Sequence, residues 1–129
     1  MNNDPLANCL SKIMNAERRA KKEIVVRPIS NKIKSVLEIL KDNNYIGDFV
    51  EEKDARGGKL TISLIGAINN VNSIKPTFSV QKNSYEVFEK RFLPAKDFGI
   101  LIVSTPKGMT THIEAKKKKS GGKLIAYCY

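Results

Sequence analysis

The chain has 129 residues, of which 41% are hydrophobic, enough to pack the core of one domain or two small subdomains rather than leave the chain disordered. Its 23 Lys and Arg against 13 Asp and Glu give a formal net charge of +10, which favours a polyanionic partner: nucleic acid, an anionic membrane surface or an acidic protein. No apolar run approaches the ~20 residues of a membrane span, and Met1-Asn2-Asn3-Asp4-Pro5 lacks the pattern of a secretion signal, so the expected home is the cytoplasm.

Asp4-Pro5 suits a helix start, since Asp caps free N–H groups and Pro is tolerated in the first turn. Leu6, Cys9, Leu10, Ile13 and Met14 then follow helical spacing, opposite Asn8, Lys12 and Asn15. A cluster of Arg18, Arg19, Lys21 and Lys22 closes that helix. Glu23 to Arg27 is short and β-branched, a strand halted by Pro28. Ser30 caps a second helix with Ile33, Val36, Leu37 and Leu40 inward and Asn43-Asn44 at its exit. Strands at Ile46 to Lys53 and Lys59 to Ile65 flank the turn Asp54-Ala55-Arg56-Gly57-Gly58 as a hairpin. Leu60, Ile62 and Leu64 alternate with polar residues, which predicts one buried and one wet sheet face.

The polar stretch Asn69 to Ser73 marks the boundary between halves. Beyond it the pattern predicts a strand near Thr77 to Val80 and a helix near Tyr85 to Phe92, with Asn83 and Glu86 at capping-box spacing. Phe98 to Val103 reads as a buried strand. Thr111 and Glu114 form a second capping box, opening a lysine-rich helix through Lys119. Ser120-Gly121-Gly122 turns the chain into a last strand, Lys123 to Tyr129. The expected fold is therefore α+β. An N-terminal helix-strand-helix-strand-strand subdomain, residues 1–68, packs against a mainly β C-terminal subdomain with short helices, residues 69–129.

The charge is uneven. Residues 105–129 carry six Lys and one acid, Glu114, which is half of the net charge. A solubilising surface mixes the signs more evenly. The run Lys116 to Lys119 has no strong apolar face beside it, which disfavours a membrane helix. Ser104 to Gly108 follows a buried strand and offers hydroxyls and backbone N–H groups on a rigid base. Gly121-Gly122 allows another backbone to approach closely.

Catalytic and metal chemistry find little support. His112 is the single histidine, with no cysteine or carboxylate cluster near it in sequence. Gly57-Gly58 lacks the following Lys-Ser/Thr of a phosphate loop. Asp48, Glu51, Glu52 and Asp54 suit a solvated strand face better than a magnesium site. Cys9 and Cys128 suit two buried free thiols, since a disulfide framework or zinc site needs more cysteines. Tyr85, Phe88 and Phe92 recur at helical spacing, as core aromatics do. Neither a cofactor nor a metal is expected, and no enzyme activity.

Ser104-Thr105-Pro106-Lys107-Gly108, Thr111 to Ala115 and Gly121-Gly122-Lys123 before an apolar strand resemble the signature of the eighth small-subunit ribosomal protein family. Asp4-Pro5-Leu6-Ala7, Ile13-Met14-Asn15-Ala16 and Arg27 to Lys34 resemble that family's first helix and the start of its second. Ile74 to Phe78 and Phe92 to Gly99 are more similar to its archaeal and eukaryotic branch than to the bacterial one. The similarity runs in order along essentially the whole chain.

The resemblance implies a structural constituent of the small ribosomal subunit in the cytoplasm, monomeric when free, with neighbouring ribosomal proteins and no membrane as partner. It implies an early, primary binder of small-subunit ribosomal RNA that reads an irregular helix in the central domain and helps that domain assemble. Such a site is sensible for RNA, because regular A-form helices hide their base edges and distorted ones expose them. By the same resemblance the C-terminal subdomain binds RNA. The hydroxyls of Ser104 and Thr105 meet bases and sugars of an internal loop, Lys107 and Gly108 support them, and Gly121-Gly122 flanks the surface. Asp4, Asn8 and the Ser30-Asn31-Lys32 turn touch an adjoining sugar-phosphate stretch. Two positions depart from bacterial members: Pro106 replaces a hydroxyl residue, and Lys123 replaces a glutamate. Thr105 carries the strongest expectation of an RNA contact, with a bond to its own loop as the alternative. The competing reading of the whole chain is a non-ribosomal adaptor that binds protein through its N-terminal sheet.

Overall fold

Leu6, Ala7, Cys9, Leu10, Ile13, Met14 and Ala16 form the buried face of α1 (Pro5–Arg18) in the computed structural model, which describes residues 5–26, 30–53, 58–74, 79–81, 83–95 and 98–129. Expectations placed on Asp4, Pro28, the turn residues 54–57, the strand start at Thr77 and the family-like residues at 75–78 and 96–97 lie outside the described residues. Burial pushes the Cys9 thiol up to about 11, against a smaller opposing pull from Lys12; Cys128 is likewise buried and free.

The chain divides into two compact units, Met1–Val71 and Asn72–Tyr129. In the first, β1 (Glu23–Val26), α2 (Asn31–Asp42), β2 (Ile46–Glu52) and β3 (Lys59–Leu64) follow α1. The strands form one antiparallel sheet in the order β1-β3-β2. Leu60, Ile62 and Leu64 alternate inward as their period of two requires. α2 buries Ile33, Val36, Leu37 and Leu40, and the Ser30 hydroxyl accepts the N–H of Ile33 at 3.2 Å as its cap. The acidic side chains of β2 are met by lysines: Glu51 by Lys34 at 2.6 Å, Asp48 by Lys41 at 3.0 Å and Glu52 by Lys59 at 3.4 Å. Glu51 and Glu52, being consecutive, lie on opposite faces of β2, and the three carboxylates are part-exposed or exposed groups paired with lysines.

In the second unit, β8 (Gly122–Cys128) is central. The sheet runs β4-β8-β6-β7, and β5 also pairs with β8. These strands are β4 (Val71–Ser73), β5 (Ser79–Val80), β6 (Ile100–Thr105) and β7 (Gly108–Thr111). α3 (Tyr85–Phe92) and α4 (His112–Lys117) complete the unit. Ile74, Val80, Tyr85, Leu93, Leu101, Val103, Ala115 and Leu124 make one core cluster, with Phe88, Phe92, Tyr127 and Tyr129 against it. Tyr85 is core, and its hydroxyl donates to the Ser120 carbonyl at 2.7 Å.

Strand β4 occupies Val71–Ser73 of the polar boundary stretch 69–73. Three local expectations change. β6 begins at Ile100, not Phe98, and continues through Ser104 and Thr105, because β7 pairs Met109 with Ser104 and Gly108 with Thr105. Phe98 is 49% exposed, its backbone forms an isolated bridge to Ala95, and its ring meets that of Tyr129. The Asn83–Glu86 capping box does not form: Ser84 holds the cap position at φ −107 and ψ 4, without the extended backbone that aims a side chain at the helix N–H groups. The Thr111 cap of α4 does form, its hydroxyl accepting the Glu114 N–H at 3.3 Å, but α4 stops at Lys117.

The early stop of α4 has a backbone cause shared by three helices. Lys119 is left-handed at φ 52, and the N–H groups of Lys119 and Ser120 return to the carbonyls of Lys116 and Ala115. Asn44 at φ 63 ends α2 with the same pair of bonds, from Asn44 to Lys41 and from Tyr45 to Leu40. Ala20 at φ 55 ends α1, with bonds from Ala20 to Glu17 and from Lys21 to Ala16. Each is a Schellman closure that satisfies carbonyls the helix leaves open.

Candidate nucleic-acid interface

The tip of the β6–β7 hairpin is built from Thr105, Pro106, Lys107 and Gly108. Pro106 is locked at negative φ and so excludes the mirror-image turns usual in two-residue hairpins. The positive φ falls instead on Gly108, at +123, where no Cβ has to be accommodated. Thr105 pins the turn: its hydroxyl donates to the Gly108 carbonyl at 2.8 Å and accepts the Lys107 N–H at 3.2 Å. The bond of Thr105 to its own loop is therefore present, and its one hydroxyl proton lies within that loop. The neighbouring Ser104 hydroxyl makes no hydrogen bond to a described residue. Thr105→Val is expected to lower stability by about 1 kcal/mol, read as an earlier thermal midpoint, while Thr105→Ser should recover most of the loss.

The start of β8 lies beside this hairpin. Ser104 pairs with Lys123, and a Cβ on Gly122 would stand 2.4 Å from the Ser104 carbonyl oxygen and 2.8 Å from Val103 Cγ1. Gly122 is thus required by the approach of β8 to β6. An open cleft of about 520 Å³ is lined by Ser104, Thr105, Pro106, Gly121, Gly122 and Lys123, together with Ser79 and Val80 of β5. Six of the eight residues singled out in this region come together in this cleft, and Lys107 and Gly108 lie outside its lining. Ser79 and Val80 fall in the strand expected near Thr77 to Val80, but their place in the cleft was not foreseen, because it is set by the pairing of β5 with the distant β8. On the other side of the hairpin a smaller cleft, about 120 Å³, joins Thr105, Lys107 and Gly108 to Lys118 and Ser120. β7 was also missed, although the β-branched pair Thr110-Thr111 is the kind of signal that marks a strand.

The four lysines of α4 and its exit differ in role. Lys116 is held by the Glu89 carboxylate, whereas Lys117 is exposed and only 3.8 Å from Glu114; Lys118 and Lys119 are exposed. Glu89 also lies 3.3 Å from His112 Nε2, and His112 Nδ1 accepts the Leu101 N–H at 3.0 Å. An accepting Nδ1 leaves the ring proton on Nε2, facing the carboxylate. His112 therefore does have a carboxylate neighbour, supplied by α3 from 23 residues away, and both ring nitrogens serve to join β6, α3 and α4. Among the described residues no three His, Cys, Asp or Glu gather as a metal-binding group.

In the N-terminal unit Asn31 and Lys32 are exposed on the first turn of α2, and Asn8 is exposed on α1. The Ser30 oxygen accepts from the helix, with its hydroxyl proton left to donate.

An α+β fold with a +10 surplus and an exposed hairpin among lysines that form no ion pair with a described residue defines a basic protein with a surface suited to polyanions. Residues 4–129 match the ribosomal protein S8 family. The chain belongs to that family: it is a small-subunit ribosomal protein that binds ribosomal RNA and neighbouring ribosomal proteins, and the family is structural rather than enzymatic. No helix among the described residues is long and apolar enough to cross a membrane.

Proposed function

We propose that the second unit reads an irregular helix of the central domain of small-subunit ribosomal RNA, binding early and monomeric, in the cytoplasm, and helping that domain fold. The observation that carries this reading is the single cleft joining Ser104, Thr105 and Pro106 to Gly121, Gly122 and Lys123 across some sixteen residues of sequence. Its chemistry suits a distorted RNA site. Ser104 brings a hydroxyl that can donate and accept toward a base edge or a ribose 2′-hydroxyl. Thr105 holds the tip in shape and offers its remaining lone pair. Lys107, Lys118 and Lys123 supply phosphate contacts that place the hairpin without reading sequence. Pro106 replaces the third hydroxyl of bacterial members, in keeping with the archaeal and eukaryotic branch. In the first unit Asn8, Asn31, Lys32 and the Ser30 hydroxyl proton serve an adjoining sugar-phosphate stretch, with Asp4 beside them in sequence.

The test is hydroxyl-radical footprinting on full-length small-subunit RNA. A discrete protected helix with an internal loop in the central domain is expected, and Ser104→Ala should weaken binding by about tenfold through one lost hydrogen bond. Diffuse protection, or a site outside the central domain, would sink the proposal.

A further inference from the structure

The basic cluster at the end of α1 has no place in the interface above, and its geometry is distinctive. Lys12 and Asn15 lie on α1 and Arg19 directly follows its last residue; at i, i+3 and i+7 the three continue one stripe. The left-handed Ala20 then reverses the chain and brings Lys21 and β1 alongside that stripe. The result is an open cleft of about 410 Å³ lined by Lys12, Asn15, Arg19, Lys21, Glu23 and Val25 among others.

The charges in this cleft are left unneutralised. Lys34 and Lys41 of α2 are paired with β2 carboxylates, but Lys12, Arg19 and Lys21 form no ion pair with a described residue. Glu17, the one acid of α1, does not line the cleft. Three cations and Glu23 leave the lining at +2. At the helical rise the backbones of Lys12 and Arg19 stand about 10 Å apart, too wide for one small anion but within side-chain reach of two phosphates of one strand. Glu23 argues for ribose over deoxyribose. A carboxylate beside phosphates is repulsive unless a donor lies between, and the 2′-hydroxyl is such a donor, with Asn15 able to donate or accept next to it. Val25, 44% exposed, gives the sugar an apolar wall.

We infer that the α1–β1 cleft is a second RNA site, which holds a ribose-phosphate strand through Lys12, Arg19 and Lys21 and senses its 2′-hydroxyls through Glu23 and Asn15. This rests on the reading of the chain as a binder of ribosomal RNA and adds a contact separate from the β6–β7 hairpin.

The experiment compares the wild-type protein, the triple variant Lys12→Gln/Arg19→Gln/Lys21→Gln and Glu23→Gln on full-length small-subunit RNA, by footprinting and by salt titration. The triple variant should lose a discrete block of protections and about tenfold in affinity. Its log–log salt slope should flatten by about two to three. The protections that Ser104→Ala and Lys118→Ala weaken should stay, and the melting temperature should not move, because these side chains are exposed. On oligonucleotides matching the lost block, Glu23→Gln should narrow the preference for RNA over its 2′-deoxy counterpart. A wild-type footprint and slope in the triple variant would overturn the inference while leaving the hairpin site intact. Unchanged RNA binding with loss of an acidic protein partner would overturn it in favour of a protein contact. A wild-type protein with no discrete footprint would overturn the underlying reading instead.

Discussion

Gly122→Ala is expected to lower the melting temperature sharply and to remove specific RNA binding with it. The added Cβ would lie 2.4 Å from the Ser104 carbonyl oxygen and 2.8 Å from Val103 Cγ1, and the first of these is backbone that cannot swing aside. Either β8 moves off β6 or the pairing of Ser104 with Lys123 breaks. Overpacking of a tight interior costs about 1–3 kcal/mol, and here the strain falls at the seam that shapes the cleft. A loss of about 3 kcal/mol is the expected scale, measured by chemical denaturation. Gly108→Ala provides the comparison: it meets no atom within 4 Å and suffers only from its positive φ, so its loss should be smaller. Gly122→Ala with an unchanged midpoint would mean that β8 and β6 have slack that the geometry does not show.

Salt should weaken RNA binding steeply. With four to six phosphates neutralised, the log–log slope is expected at roughly −3 to −5, a fall of about 60- to 1,000-fold between 50 and 200 mM salt. The lysines divide by their partners. Lys117→Ala and Lys118→Ala should each flatten the slope by about one and weaken cognate and non-cognate RNA equally. Lys116→Ala should instead lower stability and leave the slope alone, because Lys116 is tied to the mostly buried Glu89. A slope near zero would remove the electrostatic account. Selective loss of cognate RNA in either exposed-lysine variant would make that lysine a reader of sequence.

Much of this was legible in the residues because it depends on short-range periodicity. The buried faces of α1, α2 and β3 follow from spacings of 3.6 and 2, and α3 spans Tyr85–Phe92 as its apolar and charged residues suggest. The cap at Ser30 and that at Thr111 are local bonds over three residues, so the sequence carries them directly. The Asn83–Glu86 cap has the same spacing and fails, since capping needs an extended backbone that spacing cannot report.

The side-chain assignments at the site are a different matter. The sequence alone determined an α+β chain, its surplus of cations near the C-terminus, and which segments resemble a ribosomal protein. Only the tertiary structure decided that the Thr105 proton points into the hairpin while the Ser104 hydroxyl stays open, and that Lys116 belongs to Glu89 while Lys118 does not. It also gave Gly122 its reason, a carbonyl on the neighbouring strand. The physical cause is one of range: hydropathy and helix caps act within a turn of chain, whereas the partner of a hydroxyl, an ammonium or a missing Cβ is set by which distant strand packs beside it.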